Sequence, residues 1–142
     1  MTNASEKRRE KHLWVAFDIT PAEWDRVSDY QGGVCFCCGR KSIGKRLATE
    51  HDHASGLFRG LLCASCNSLL GKVENAFTRY GLRKVEGLSI IRVLTQLALY
   101  LDKPPAVKAL GREAFGYPGR IGTIEYRKWA KKKKKCRGDT KD

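Results

Sequence analysis

The sequence has no long apolar run. Its longest apolar stretches are far shorter than the roughly 20 residues that a membrane-spanning helix needs. The polar N-terminus, which includes Lys7, Arg8 and Arg9, is not followed by the apolar segment of a secretory signal. We therefore expect no membrane partner and a cytoplasmic protein, in which cysteines stay reduced.

Acidic residues are scarce, and the sequence has no internal repeat. The 142 residues include 28 Lys and Arg but 15 Asp and Glu, which gives a net charge of +13. Such an excess favours a polyanionic partner, with nucleic acid as the first candidate and an anionic membrane surface as the second. With 42% hydrophobic residues the chain can build a modest core.

The positive charge is concentrated at the C-terminal end. Residues 103–142 hold thirteen Lys or Arg and four acidic residues. An unbroken basic run follows Tyr126 and Trp129, and it consists of Lys131, Lys132, Lys133, Lys134 and Lys135. Lysines next to aromatic rings favour phosphate binding with base stacking, so we predict a basic DNA-binding tail over residues 107–142. The alternative is a solvated tail without a ligand.

Cysteine occurs in two C-x-x-C pairs. Cys35 with Cys38 and Cys63 with Cys66 have the spacing of a tetrahedral zinc site, with 24 residues between the pairs. In a chain whose thiols stay reduced, metal binding is favoured over disulfides. We predict one structural Zn²⁺ held by these four cysteines, with Cys37 and Cys136 as surplus thiols.

The elements around this site follow from local patterns. A capped helix is predicted from residue 20 to Gly32, and strands are predicted over 47–51 and 57–62. A helix follows over 64–70 with Gly71 as its stop, a further helix over 72–80, and the most apolar helix over 88–101. The predicted fold class is α+β, mainly helical, in the order strand, strand, helix around the cysteines.

The region between the cysteine pairs contains Glu50-His51-Asp52-His53, the only cluster of acids and imidazoles in the chain. The series C-x-x-C-G, E-H-D-H and R-G-L-L-C-x-x-C-N-x-x-L-G resembles the recombination endonuclease VII family of phage nucleases. That family belongs to the wider HNH, His-Me finger or ββα-metal nucleases. The resemblance covers residues 20–106 and implies a zinc-stapled ββα-metal domain with a helical extension. Residues 1–19 are then expected to form a flexible, basic and polar arm.

The resemblance also implies roles for individual side chains. His51 matches the position of the general base, and His53 matches the second histidine, which orients the phosphate or contacts the leaving group. Glu50 and Asn67 match the ligands of a catalytic Mg²⁺ or Mn²⁺. We add Arg59 as a candidate phosphate clamp and DNA-binding residue. Because the family usually has Asp where this chain has Glu50, the carboxylate here reaches about 1.5 Å further, roughly one carbon–carbon bond.

Strand geometry sets a condition on this site. Strict alternation would place Glu50 and His51 on opposite faces of a strand, so the strand must bend or end there for both to serve one site. Asp52 is then expected to point away and to make a structural hydrogen bond.

The expected function is a metal-dependent DNA endonuclease that acts on branched DNA such as Holliday junctions. One alternative is an HNH enzyme that nicks or cuts linear duplex DNA, and another is a zinc-stabilised DNA-binding protein without catalysis. The E-H-D-H motif occurs once, so paired cuts require a homodimer. The apolar stripe of helix 88–101 is the expected contact, with core packing as the alternative. If the protein is phage-encoded, it would act in the cytoplasm of the host bacterium.

Overall fold

The computed structural model describes residues 3–138, and for residues 136–138 the backbone alone. The chain divides into two compact units, Met1–Ile90 and Ile91–Asp142. Within the described residues no helix is long and apolar enough to span a membrane. The surplus thiol of Cys136 and residues 139–142 of the predicted tail lie outside this description.

Two capped helices begin the first unit. Helix α1 spans Ala4–Phe17, and Asn3 with Glu6 forms a capping box at its start. Helix α2 spans Pro21–Tyr30, as the sequence predicted. Its capping box pairs Thr20 with Glu23, whose carboxylate accepts a hydrogen bond from the Thr20 backbone N–H at 2.8 Å. Each box satisfies donors that a helix start otherwise leaves unpaired.

A hairpin and a long helix complete the ββα order. Strand β1, Ala48–His51, pairs antiparallel with strand β2, Phe58–Leu62, and helix α3 follows over Ala64–Arg79. The predicted stop at Gly71 is wrong, because α3 continues through it. Glycine weakens a helix interior by only about 0.5–1 kcal/mol, and the packing of an apolar face outweighs this cost. A 3₁₀ turn, Leu82–Lys84, comes after α3.

The core of this unit joins α1, α2 and the hairpin. Its buried members are Leu13, Ile19, Trp24, Cys35, Leu47, Leu61 and Leu62. Residues 4–17 of the predicted arm form α1, and Leu13 of this helix is 3% exposed and packs in the core. Trp24 is buried, and its Nε1–H donates to Thr49 Oγ1 at 3.1 Å. Trp24 thus joins α2 to the core and to β1.

The second unit is helical in the part that the structure describes. Helix α4 spans Ile90–Asp102, α5 spans Pro105–Leu110 and α6 spans Ile124–Gly138. The lysine run of the predicted tail therefore lies on α6. The predicted fold class, mainly helical α+β with a small hairpin and a four-cysteine cluster, is confirmed.

Helix α4 keeps its apolar stripe exposed. Ile91 is 74% exposed and Leu101 77%, and no residue of α4 is buried in the described part of the chain. The described residues therefore leave much of this stripe exposed. Core packing, one of the two interpretations of the stripe, does not account for this exposure.

Candidate active site and metal centre

Four cysteine sulfurs meet at the base of the hairpin. Cys35 and Cys38 lie in the turn after α2, where the Gly39 N–H donates to the Cys35 carbonyl at 2.9 Å. Cys63 caps α3, and its Sγ accepts a hydrogen bond from the backbone N–H of Cys66 at 3.5 Å. The sulfurs of Cys35, Cys38, Cys63 and Cys66 all lie within 4.8 Å of one another.

This cluster fits a tetrahedral metal. A Zn–S bond of about 2.3 Å places tetrahedral sulfurs about 3.8 Å apart, and the sulfurs of Cys38 and Cys63 are separated by 3.8 Å. The cluster can therefore hold a structural metal such as zinc, which the four thiolates would bind without an open position. Cys37, predicted to be surplus, is exposed and stands outside the cluster.

The surroundings of the sulfurs shift their protonation in opposite directions. The Arg40 side chain, whose Nε–H donates to Cys38 Sγ at 3.4 Å, lowers the pKa of Cys38 to about 6. The hydrogen bond to Cys63, together with burial, raises the pKa of Cys66 to about 12. Crowded thiols share protons, and a bound metal ion would replace those protons.

A groove of about 320 Å³ lies beside Cys63. Its lining is basic and includes Lys41 and Arg46.

The hairpin breaks its register where the catalytic side chains were predicted. Glu50 is opposite Gly60, and His51 is opposite Phe58, so Arg59 is the extra residue of a bulge in β2. A bulge interrupts the alternation of side chains and increases the local twist. The register of the hairpin therefore shifts between Glu50 and His51, where a bend was predicted, and the extra residue lies in β2.

Glu50 is held by Arg59. Its side chain is 7% exposed, and it is the one buried charged residue among those described. Arg59 Nε donates to Glu50 Oε2 at 2.8 Å, and Arg59 Nη2 donates to Glu50 Oε1 at 2.5 Å. On its other side Arg59 Nη1 donates to Oε1 of Glu74 at 2.7 Å. The sequence placed Arg59 at this site but gave Glu74 no role, because nothing in a helical pattern reveals which strand residue faces it.

Helix α3 also carries the predicted ligand Asn67. Asn67 is half-buried in the first turns of α3, and its backbone N–H donates to the Cys63 carbonyl at 2.9 Å. Glu74 follows seven residues later, which is two helical turns, so the two residues share one face of α3. Since Glu74 reaches Arg59 from that face, Asn67 lies on the side of α3 that faces the hairpin.

The two histidines of the motif lie together. The rings of His51 and His53 have centroids 4.8 Å apart at an interplanar angle of 58°. The ring of Phe17 meets His51 edge-on, with centroids 5.2 Å apart, and His12 meets Phe17 at 5.6 Å. Helix α1 thus supports the predicted base. The sequence gave no signal for this contact, because residues 1–19 were interpreted as an arm.

Asp52 has the structural role that was predicted for it. Its Oδ1 accepts a hydrogen bond from the Ala54 N–H at 3.0 Å, and its Oδ2 accepts one from the Ser55 hydroxyl at 2.7 Å. Both hydrogen bonds lower the pKa of Asp52, and the bond from Ser55 has the larger effect. Asp52 therefore fixes the turn that joins the two strands.

The lysine run lies on α6 in the second unit. The rings of Tyr117, Tyr126 and Trp129 form a cluster with centroids 5.5–6.3 Å apart. Lys133 Nζ lies over the Trp129 ring at 4.7 Å from its centroid. One face of α6 therefore packs against aromatic rings. The lysines of the run, Lys131 to Lys135, are exposed.

Comparison with known proteins agrees with this arrangement. A family model for recombination endonuclease VII matches residues 10–103. The Gene 59 protein of Mycobacterium phage D29 is 35% identical over 118 residues, covering 82% of this chain and 59% of that protein. The Gene 59 protein of Mycobacterium phage L5 is 33% identical over 112 residues, covering 78% and 60%. The chain thus spans about 60% of the length of these relatives. The match includes α1 from residue 10, the cysteine cluster, the hairpin and α3, and the chain belongs to the recombination endonuclease VII family.

Proposed function

We propose that this protein is a divalent-metal-dependent DNA endonuclease of the HNH, or ββα-metal, type. The observation that carries the proposal is that the hairpin holds a buried carboxylate, Glu50, next in sequence to the paired imidazoles of His51 and His53. This combination lies within the segment that matches the endonuclease family. A role in zinc and DNA binding alone would require none of these three side chains.

His51 is the proposed general base. An imidazole is the side chain that most often takes a proton from water in such reactions. Edge-on packing against Phe17 restricts the His51 ring on one side, and His53 borders it on another. His53 is then placed to contact the same phosphate, either by orienting it or by assisting the leaving oxygen.

Glu50 and Asn67 would hold the catalytic Mg²⁺ or Mn²⁺. Carboxylate and amide oxygens are the donors that these hard ions prefer. Burial of Glu50 fits this role, because a buried carboxylate requires a cation near it. When bound, the ion would offset negative charge on the phosphoryl oxygens. The extra methylene of Glu50 relative to Asp favours Mn²⁺, because Mg²⁺ demands the stricter octahedral geometry.

Branched DNA is the proposed substrate, and a homodimer is the proposed active form. Resolution of a junction requires two cuts, and the catalytic motif occurs once in the chain. The exposed stripe of α4 supplies an apolar surface that a second copy can cover. Because the relatives named above are phage proteins, the infected bacterial cytoplasm is the proposed place of action.

One assay tests the catalytic proposal. Protein with Mg²⁺ or Mn²⁺ is incubated with a four-way junction and, separately, with its linear arms. We expect paired cuts in the junction and loss of cleavage by a factor of about 10²–10⁴ in His51→Ala, the usual contribution of a general base. DNA binding should survive in that variant. Tyr30→Ala, at an exposed residue of α2, serves as the control.

The results separate the alternatives. Nicks in linear duplex by a protein of monomeric mass would favour the HNH nickase, and binding without cleavage would favour the zinc-stabilised DNA-binding protein. Sedimentation at micromolar concentration measures the mass. Ile91→Lys on the exposed stripe of α4 should convert a dimer to monomers, whereas the exposed Leu110→Lys on α5 should not.

A further inference from the structure

Arg59 uses nearly all of its donors in the described structure. A guanidinium has five N–H groups. Arg59 makes two hydrogen bonds to Glu50, one to Glu74 and one, at 3.4 Å, to the carbonyl of His51. The hydrogen bonds to the two carboxylates raise the pKa of Arg59, and the bonds to Glu50 have the larger effect. In this arrangement Arg59 has little left to offer a DNA phosphate, which is the role that the sequence suggested for it.

Glu50 is equally occupied. Both of its oxygens accept from the planar fork of Arg59. A bidentate guanidinium and a divalent ion compete for the same carboxylate oxygens. Because Glu50 is buried, it requires one cation or the other and cannot be left unpaired at low cost.

The charges of the cluster show what an exchange would do. Two carboxylates and one guanidinium leave one net negative charge. Addition of a divalent ion changes this to one net positive charge, and one phosphodiester then balances it. The cluster therefore attracts a metal ion when it is empty of metal, and it attracts a DNA phosphate once the metal is there.

We propose that Arg59 and Glu74 form an exchange pair at the active site. Arg59 holds Glu50 in the absence of metal, and Glu50 then passes to the divalent ion. Glu74 keeps Arg59 in place through Nη1, so that its freed Nε and Nη2 groups bind the substrate phosphate. Glu74 is thus a positioning residue that acts through Arg59. The inference rests on the proposed function, in which Glu50 binds the catalytic metal.

The first test measures metal binding without DNA. Wild-type protein and Arg59→Gln are titrated with Mn²⁺, and free Mn²⁺ is followed by electron paramagnetic resonance. Arg59→Gln should bind Mn²⁺ roughly tenfold or more tightly, because it lacks the competing charge-assisted hydrogen bonds. Arg79→Gln, at the end of α3, controls for the loss of one positive charge. Should Arg59→Gln fail to fold, Arg59→Lys keeps the charge, lacks the fork and should show a smaller gain.

The second test concerns Glu74. In a His51→Ala background, which binds DNA without cutting it, Mn²⁺ should increase DNA affinity by way of the released Arg59. Adding Glu74→Gln should reduce this metal-dependent gain, the ratio of DNA affinities with and without Mn²⁺, about tenfold, the order expected for one charge-assisted contact. Glu74→Asp should restore part of the gain.

The outcomes are separable. If Arg59→Gln binds Mn²⁺ no more tightly than the wild type while Glu50→Gln abolishes binding, the exchange is refuted and the proposed metal site stands. If Glu50→Gln leaves Mn²⁺ binding unchanged, the proposed metal site itself is wrong and the exchange is refuted with it. An equal loss of DNA affinity in Glu74→Gln with and without metal would also overturn the exchange.

Discussion

Helix α6 has two faces, and its DNA contacts should come from one of them. An α-helix turns by about 100° per residue. On this geometry Trp129 and Lys133 lie on one side of α6, where the Lys133 ammonium contacts the Trp129 ring. Lys131, Lys134 and Lys135 lie together within a stripe of about 100° on the opposite side. The aromatic cluster therefore leaves this lysine stripe exposed for phosphates.

The perturbation is the triple variant Lys131→Gln, Lys134→Gln, Lys135→Gln. Each phosphate contact contributes about 0.9 to the slope of log affinity against log salt. Loss of three contacts should make the slope shallower by about 2.7. Between 50 and 200 mM salt, a fourfold change, the ratio of wild-type to variant affinity should fall by roughly fortyfold.

Fluorescence anisotropy of a short duplex, read at several salt concentrations, measures both slopes. The matched control is Lys133→Gln, which removes the same charge from the aromatic face. This control should weaken the aromatic cluster by about 0.5–1 kcal/mol, as expected for an exposed cation–π contact, but should leave the salt slope nearly unchanged. An unchanged slope in the triple variant, or an equal change in Lys133→Gln, would refute the two-faced arrangement.

Three further predictions follow from the first unit. Cys63→Ser should release the metal and unfold this unit, since structural zinc contributes on the order of 10–16 kcal/mol in zinc-finger peptides. A variant that keeps both its zinc and the wild-type circular dichroism spectrum would contradict this prediction. Phe17→Ala should lower kcat by roughly ten- to a hundredfold, with little change in KM, because it misplaces the His51 ring. Trp14→Ala, at an exposed residue of the same helix, should leave kcat unchanged. Equal kcat values in the two variants would show that Phe17 does not position His51. Gln31→Ala removes the hydrogen bonds that its side chain makes to the backbone N–H and carbonyl of buried Leu61, so it should cost about 1–3 kcal/mol in urea unfolding.

Local patterns were sufficient for much of the fold. Fixed spacing defined the two cysteine pairs, and a capping box defined the start of α2 at Pro21. Both strands were predicted to within one residue of their bounds. These features depend on neighbours in the chain, so a sequence reveals them directly.

Other features depend on contacts between distant residues. The packing of α1 within the expected arm had no local signal, because the burial of Leu13 requires a core that α2 and the hairpin build. The stop at Gly71 was wrong because packing along α3 outweighs the weak local preference of one glycine. The exposure of α4 could not be predicted either, since a broad apolar stripe looks the same whether a core or a second copy covers it.

The sequence by itself determined which residues carry the chemistry: four cysteines for a metal, and Glu50, His51, His53 and Asn67 for a predicted catalytic site. The tertiary structure decided how they are held. A bulge at Arg59 shifts the register of the hairpin beside Glu50 and His51, and Glu74 bonds to Arg59 from fifteen residues away. Residue types and short spacings are local properties that the sequence gives directly. Strand register, burial and the pairing of charges arise only when distant segments pack together.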